Sequence, residues 1–328
     1  MQNKFQLAVW GTGSWATICS NKLMEIPELN VVCCWDTDEA SKNAYANKFN
    51  CRASASEGEF LKEKIDAVAI FTPNHLHPEH ANKAFEAGWH VFVEKPMAND
   101  IAQAEEMIET MRRCGKTFFV GHNNRREERF RLIKKMLTRG DLGKIVFADM
   151  IFTSPMGLKQ EIGLWRYEAD KCQAVALSQI GVHAIDTLQY LLGPIVAAQG
   201  WIKSIAIDSD DVCLSRLEFK DGFSVQLINA YTVPRARSLR VMGTKGCILT
   251  EHEDSILFFD QTSNETQKIT VDINDTVKEE FREFVDCCRS GIEPETGALV
   301  GYSSVAVVNA IIESASQANN SSAVQPLC

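Results

Sequence analysis

Apolar and polar positions alternate in two different ways along this chain. "KFQLAVW" (4–10) is a short apolar run that stops at glycines, and a helical period follows it through Ile18, Leu23 and Met24. "LNVVCCWD" (29–36), "KIDAVAIF" (64–71), "HVFVEKP" (90–96) and "TFFVGH" (117–122) repeat the buried-strand pattern. Helices are predicted through "PEHANKAFEAG" and over 100–114. Such alternation predicts a doubly wound parallel sheet with its site at the C-terminal ends of the strands. Beyond residue 143 the pattern changes. "KIVFADMIFT", "DVCLSRLEF", "FSVQLINAY" and "SLRVMG" are β-rich and separated by turn residues such as Asp221–Gly222.

One helix breaks into that β-rich half. In "ALSQIGVHAIDTLQYLLG" (176–193), Leu177, Ile180, Ala184, Leu188 and Leu191 form an apolar side, and Gly193 is a C-terminal stop. Gln179, His183 and Asp186 then share the other side at i, i+4 and i+7. By itself this row is either an acid/base group or a solvated face.

Between the first strand and its helix stands "GTGSWA". Gly11 suits a tight turn, Gly13 allows backbone to approach a pyrophosphate, and Ala16 permits close helix–sheet packing. The N–H groups of Thr12, Ser14 and Trp15 complete a candidate diphosphate cradle. Asp36 ends the next strand, where an acid binds ribose hydroxyls; with Asp38 it repels a 2′-phosphate, and Lys42 is the first cation to follow. NAD is therefore favoured over NADP. Capping of the following helix is the plainer role for Asp36. Lys95, in "EKPMA", ends a buried strand; a desolvated lysine there can donate to a substrate hydroxyl and lower its pKa. Pro96 fixes the backbone after it and permits a cis bond. Thr72, Pro73, Asn74 and His77, after the 64–71 strand, and Glu94 beside Lys95 are further candidate cofactor residues, Asn74 and His77 either contacting the cofactor or shaping its pocket. His75, His77 and His80 cross from a loop into a helix, a poor geometry for three convergent ligands, so no metal is expected.

Composition narrows the class. A chain of 328 residues predicts two domains. The net charge of −9 argues against nucleic acid or an anionic membrane as partner. The densest basic run, "RREERFRLIKK" (125–135), reads as a solvated helix face. No apolar run approaching a membrane span is expected, nor is a signal peptide. Eleven cysteines, an odd number that includes adjacent pairs and no C-x-x-C, fit reduced thiols in a cytoplasm.

"GTGSWA", "TPNHLH" and "EKP", in this order, resemble the Gfo/Idh/MocA oxidoreductases. The resemblance continues in "LWRYEADK", the 176–193 helix, "VMGTKGCI" (241–248) and "FREFVDCCRSGIEPET" (281–296). It implies an α/β fold: a Rossmann domain over 1–122, then a substrate and oligomerisation domain over 123–328 with a large, mostly antiparallel open-faced sheet. It further implies a homodimer or homotetramer, and a sugar, inositol or related polyol as substrate. Lys95 and His183 match residues that act where hydride is exchanged with nicotinamide, so His183 is expected to face the nicotinamide across the cleft. Trp165 and Arg166 match the family's W-R pair and, with Gln179, are candidate substrate contacts; Tyr231 and Arg235 are weaker ones. The chain departs from the pattern at Gln179, where the family has Asp, and at "CQAV" (172–175), where it has a glycine-rich run. Gln cannot raise the basicity of His183 by charge, though it still hydrogen-bonds; Asp186 is expected to substitute in part. A nucleotide-binding regulator without turnover, and sugar chemistry assisted by NAD without net redox change, stay open as alternatives.

Overall fold

Each apolar run of the first 120 residues forms a parallel strand. In the computed structural model, which describes residues 4–159, 164–317 and 321–327, the order is β1 (Phe5–Trp10), α1 (Ser14–Leu23), β2 (Leu29–Trp35), α2 (Glu39–Phe49), β3 (Arg52–Ala53), α3 (Glu57–Phe60), β4 (Ala67–Ile70), α4 (His77–Glu86), β5 (His90–Val93), α5 (Ile101–Cys114) and β6 (Phe118–Val120). These strands stand in the order β3-β2-β1-β4-β5-β6, every pair parallel. The chain leaves β1 towards one edge and β4 towards the other. The crevice beyond their C-terminal ends is the topological switch point, where such sheets bind ligands.

The remainder runs α6 (Glu128–Arg139), β7 (Ile145–Thr153), α7 (Val182–Leu192), β8 (Ile195–Lys203), β9 (Val212–Phe219), β10 (Ser224–Ala230), β11 (Arg237–Gly243), β12 (Gly246–His252), β13 (Ser255–Asp260), β14 (Glu265–Thr270), α8 (Thr276–Ser290), α9 (Ala298–Ser316) and β15 (Ser322–Ala323). Nine strands form a second sheet, β14-β13-β12-β11-β7-β10-β9-β8-β15. Among the described residues only its β7–β10 pair is parallel. Alternate residues such as Cys213, Leu217, Val225, Leu227, Met150 and Phe152 point into a core shared with Leu177, Ile185 and Leu188. The opposite face carries an apolar row across four strands, Trp201–Leu214–Ile228–Ile151, beside a charged one, Arg216–Gln226–Asp149–Arg240.

The chain divides into two units, Met1–His122 with Asp275–Tyr302, and Asn123–Asn274 with Ser303–Cys328. A single cut at 122/123 would leave 275–302 in the second. Aromatic packing returns it to the first: Phe281 stacks on Phe92 at 4.2 Å, and Phe284 meets Phe5 and Phe119 edge-on at 6.2 and 5.8 Å. One expectation about apolar runs needs correction. Among the described residues α9 is long and apolar enough to cross a membrane, but 61% of its apolar stretch is buried, and Val307, Val308 and Ile311 join the second unit's core. It is packed as a core helix.

Candidate functional site

Gly11 follows β1 with φ +90°, and a Cβ there would lie 2.8 Å from Thr72 N, the first backbone past Phe71 at the end of β4. Only glycine lets the two strand ends close the crevice this way. Gly13 differs: a Cβ there would meet nothing within 4 Å. As N-cap of α1 it offers no side-chain cap. That leaves the helix N-terminus bare towards open space, the shape and polarity a diphosphate needs. Asn74, buried in the facing loop, holds an amide nitrogen without a hydrogen-bond partner among the described residues. An open cradle and an orphaned donor together fit a dinucleotide.

Asp36 Oδ2 accepts the Thr12 N–H at 2.7 Å and the Thr12 hydroxyl at 3.1 Å, while Oδ1 accepts the Asp38 N–H at 2.9 Å. Capping of α2 falls instead to Asp38, which accepts from Ala40 N and Ser41 N. The carboxylate of Asp36 is thus aimed by the glycine turn, not spent on the helix. Lys42, the first cation downstream, is 2% exposed and bound to Glu39 at 2.6 Å.

At the end of β5, Glu94 is buried, and burial holds its carboxyl above the usual range. Its two oxygens accept the Trp15 indole N–H at 2.6 Å and the Lys95 backbone N–H at 3.2 Å. Trp15 itself is 40% exposed on the first turn of α1. The Lys95–Pro96 bond is cis, and Lys95 is half-buried. Of its two candidate roles, His77 is placed for shaping the pocket and not for contacting the cofactor. It is fully buried, and its ring nitrogens stand 2.8 Å from the carbonyl oxygens of Pro96 and Thr72. It ties the EKP turn to the β4 loop and shapes the crevice from behind. His80 stacks on Trp10 at 4.2 Å and bonds the Thr72 hydroxyl at 2.9 Å. With these commitments the histidines do not converge, and among the described residues no group of three or more His, Cys, Asp or Glu is placed to hold a metal.

In the second unit the 176–193 helix is not uniform. Leu177–Gly181 forms a π turn, and α7 begins at Val182. The wider turn shifts Gln179 against His183. Gln179 Nε2 donates to Cys172 Sγ at 3.4 Å. Ahead of it Ala174 sits at φ +47°, a left-handed position where the family's glycines would rest without strain. His183 stacks on Phe152, centroids 6.0 Å apart. Asp186 does not serve as a spare carboxylate for this row. It is fully buried and takes a bidentate pair from Arg125, at 2.9 Å to Nε and 2.5 Å to Nη2. Arg125, Arg126 and Arg129 are all buried, so the start of the basic run is interior rather than a solvated face. Arg129 bonds Glu127, Thr250 and the His252 carbonyl. Sequence reasoning missed Arg125 and Arg129 because Asp186 and the His252 carbonyl, which they bond, are distant along the chain.

Trp165 and Arg166 occupy a short 3-10 turn with the guanidinium 5.1 Å over the indole. Trp165 and Ile180 pack against Cys172, Val175, Ala176 and Tyr231. Burial pushes the Tyr231 hydroxyl up to about 12, against the opposing charge of Arg166. Trp165, Arg166 and Tyr231 therefore gather beside the π turn. Arg235 does not join them: it pairs with Glu253 at 2.6 Å on the surface.

A profile of the GFO_IDH_MocA oxidoreductase family, NAD-binding Rossmann fold, matches residues 5–122, and one of the GFO/IDH/MocA C-terminal domain matches 130–249. A D-xylose 1-dehydrogenase (NADP+) of Haloarcula marismortui is 25% identical over 331 residues, 95% of this chain and 91% of the relative. A solved structure from Desulfitobacterium hafniense, assigned as an NADPH-dependent oxidoreductase, is 26% identical with TM-score 0.92 over 99% of both chains. A levoglucosan dehydrogenase in complex with NADH shares the fold at TM-score 0.92 and 20% identity, over 99% of this chain and 100% of that one.

Proposed function

Because the chain belongs to the Gfo/Idh/MocA oxidoreductase family and carries its NAD-binding Rossmann fold, we propose that it moves a hydride between NAD and a hydroxyl or carbonyl carbon of a sugar or related polyol. The observation that carries this reading is the bare N-terminus of α1 at the switch point, beside the aimed carboxylate of Asp36. Gly11, Thr12, Gly13, Ser14, Trp15 and Ala16 hold the diphosphate turn; Asp36 holds the ribose; Thr72, Pro73, Asn74 and Glu94 line the crevice. Bound NAD supplies the hydride acceptor. Lys95 Nζ binds the substrate oxygen and stabilises negative charge on it. The His183 imidazole takes the hydroxyl proton as the C–H bond breaks, and returns it in reduction. Trp165, Arg166 and Gln179 orient the remaining hydroxyls. Relatives named for D-xylose and levoglucosan dehydrogenation support a sugar as substrate.

Purified protein incubated with NAD and a sugar and polyol panel, followed by nicotinamide absorbance, tests the reading. Lys95→Ala and His183→Ala should each lower turnover by about 10²–10⁴ while NAD still binds. Turnover unchanged in both variants, or no nicotinamide signal with any substrate, would refute it. A second part of the proposal concerns assembly. The apolar row Trp201–Leu214–Ile228–Ile151 lies on the sheet face away from the core, and a second copy of this chain covers it. Light scattering should give a multiple of 36.6 kDa; a monomer at micromolar concentration would contradict it. The described cysteines are free thiols, in keeping with a cytoplasmic setting, which cell fractionation tests.

A further inference from the structure

Two surfaces flank His183, the ring of Phe152 and the π turn that closes at Gly181. One side chain touches the backbone of both Phe152 and the π turn. Asn229, on β10, is fully buried. Its Nδ2 donates to the Phe152 carbonyl at 3.1 Å, which fixes the orientation of the amide. Its Oδ1 then lies against the π turn, 2.6 Å from where a Cβ on Gly181 would stand. Oδ1 has no hydrogen-bond partner among the described residues.

A buried, unpaired amide oxygen is destabilising, and a leucine of the same shape would avoid that cost. We propose that Asn229 is a positioning residue for His183, holding the π turn and the Phe152 wall in register so that the imidazole is presented in one orientation. This rests on His183 being the acid/base group. The position an L side chain would take on Gly181 lies against Oδ1, so only a residue without a side chain lets the turn close on the amide. A π turn is strained relative to a continuous α-helix and persists where surroundings enforce it. Here the enforcing atoms are those of Asn229 below and the absent side chain of Gly181 above.

Asn229 and stability should therefore part company with Asn229 and rate. Asn229→Leu, with the smaller Asn229→Ala beside it, should keep the melting temperature near wild type and leave NAD affinity unchanged. On a sugar that supports turnover, kcat should fall about 10- to 100-fold with KM little altered. The His183 imidazole, followed by NMR of its ring carbons against pH, should titrate at a changed value. In a His183→Ala background the Asn229 substitutions should have no further effect, because a residue acting through His183 has nothing left to position. Wild-type kcat and an unchanged His183 titration in both variants, with His183→Ala inactive, would overturn the inference alone. Rate losses that multiply in the double variants would do the same. Full turnover by His183→Ala would overturn the assignment of His183, and this inference with it.

Discussion

Lys42 Nζ lies 2.6 Å from Glu39 Oε1 and 4.4 Å above the Trp35 ring. The first cation after Asp36 is thus neutralised and covered, and a 2′-phosphate at Asp36 would meet no counter-charge there. Asp36→Ser should weaken NAD about 10- to 100-fold, the worth of hydrogen bonds to a charged group, with no gain for NADP. Asp36→Ser combined with Glu39→Gln frees Lys42 and should bring NADP affinity up. Fluorescence titration of both reduced cofactors checks this; tight NADPH binding by the wild type would contradict it.

The two glycines of the turn should fail differently. Gly11→Ala meets Thr72 N at 2.8 Å in a left-handed backbone and should cost about 1–3 kcal/mol, seen as a lower melting temperature. Gly13→Ala meets no protein atom within 4 Å, so stability should hold while NAD affinity falls. Melting curves with and without NAD separate the two.

Glu94 links acidity to stability. Burial raises its folded pKa above the unfolded value, so the folded state binds the extra proton. Stability from this group is full below the unfolded pKa and is lost as pH rises through the folded one. Glu94→Gln keeps an acceptor for Trp15 Nε1 and should flatten that loss. Urea unfolding of both proteins across acidic to neutral pH shows it; parallel pH profiles would refute it.

Asp186 and His183 are three residues apart with opposite expected phenotypes. Asp186→Ala strands Arg125 without its buried partner and should cost about 3–5 kcal/mol. Arg125→Met with Asp186→Leu should recover most of it. His183→Ala should leave stability within about 1 kcal/mol while removing activity. Denaturant midpoints and turnover measured together decide the matter.

Much of this was legible along the chain. A strand period of 2 against a helical period near 3.6 separates the parallel half from the β-rich half, and "GTGSWA" followed by Asp36 places a dinucleotide turn because glycine spacing is a local constraint. The apolar run 90–93 likewise places Lys95 just past a strand end. Periodicity tells which side of an element is apolar but not what covers it. Tertiary structure alone decided that Phe281 and Phe284 fill the first unit, and that Asp186 leaves the His183 row for Arg125. It also set both nitrogens of His77 against carbonyl oxygens and widened the turn before His183 into a π turn over Asn229. Each of these outcomes depends on at least one partner 19 to 279 residues away along the chain, and no local pattern encodes a charge or carbonyl that folding will bring alongside.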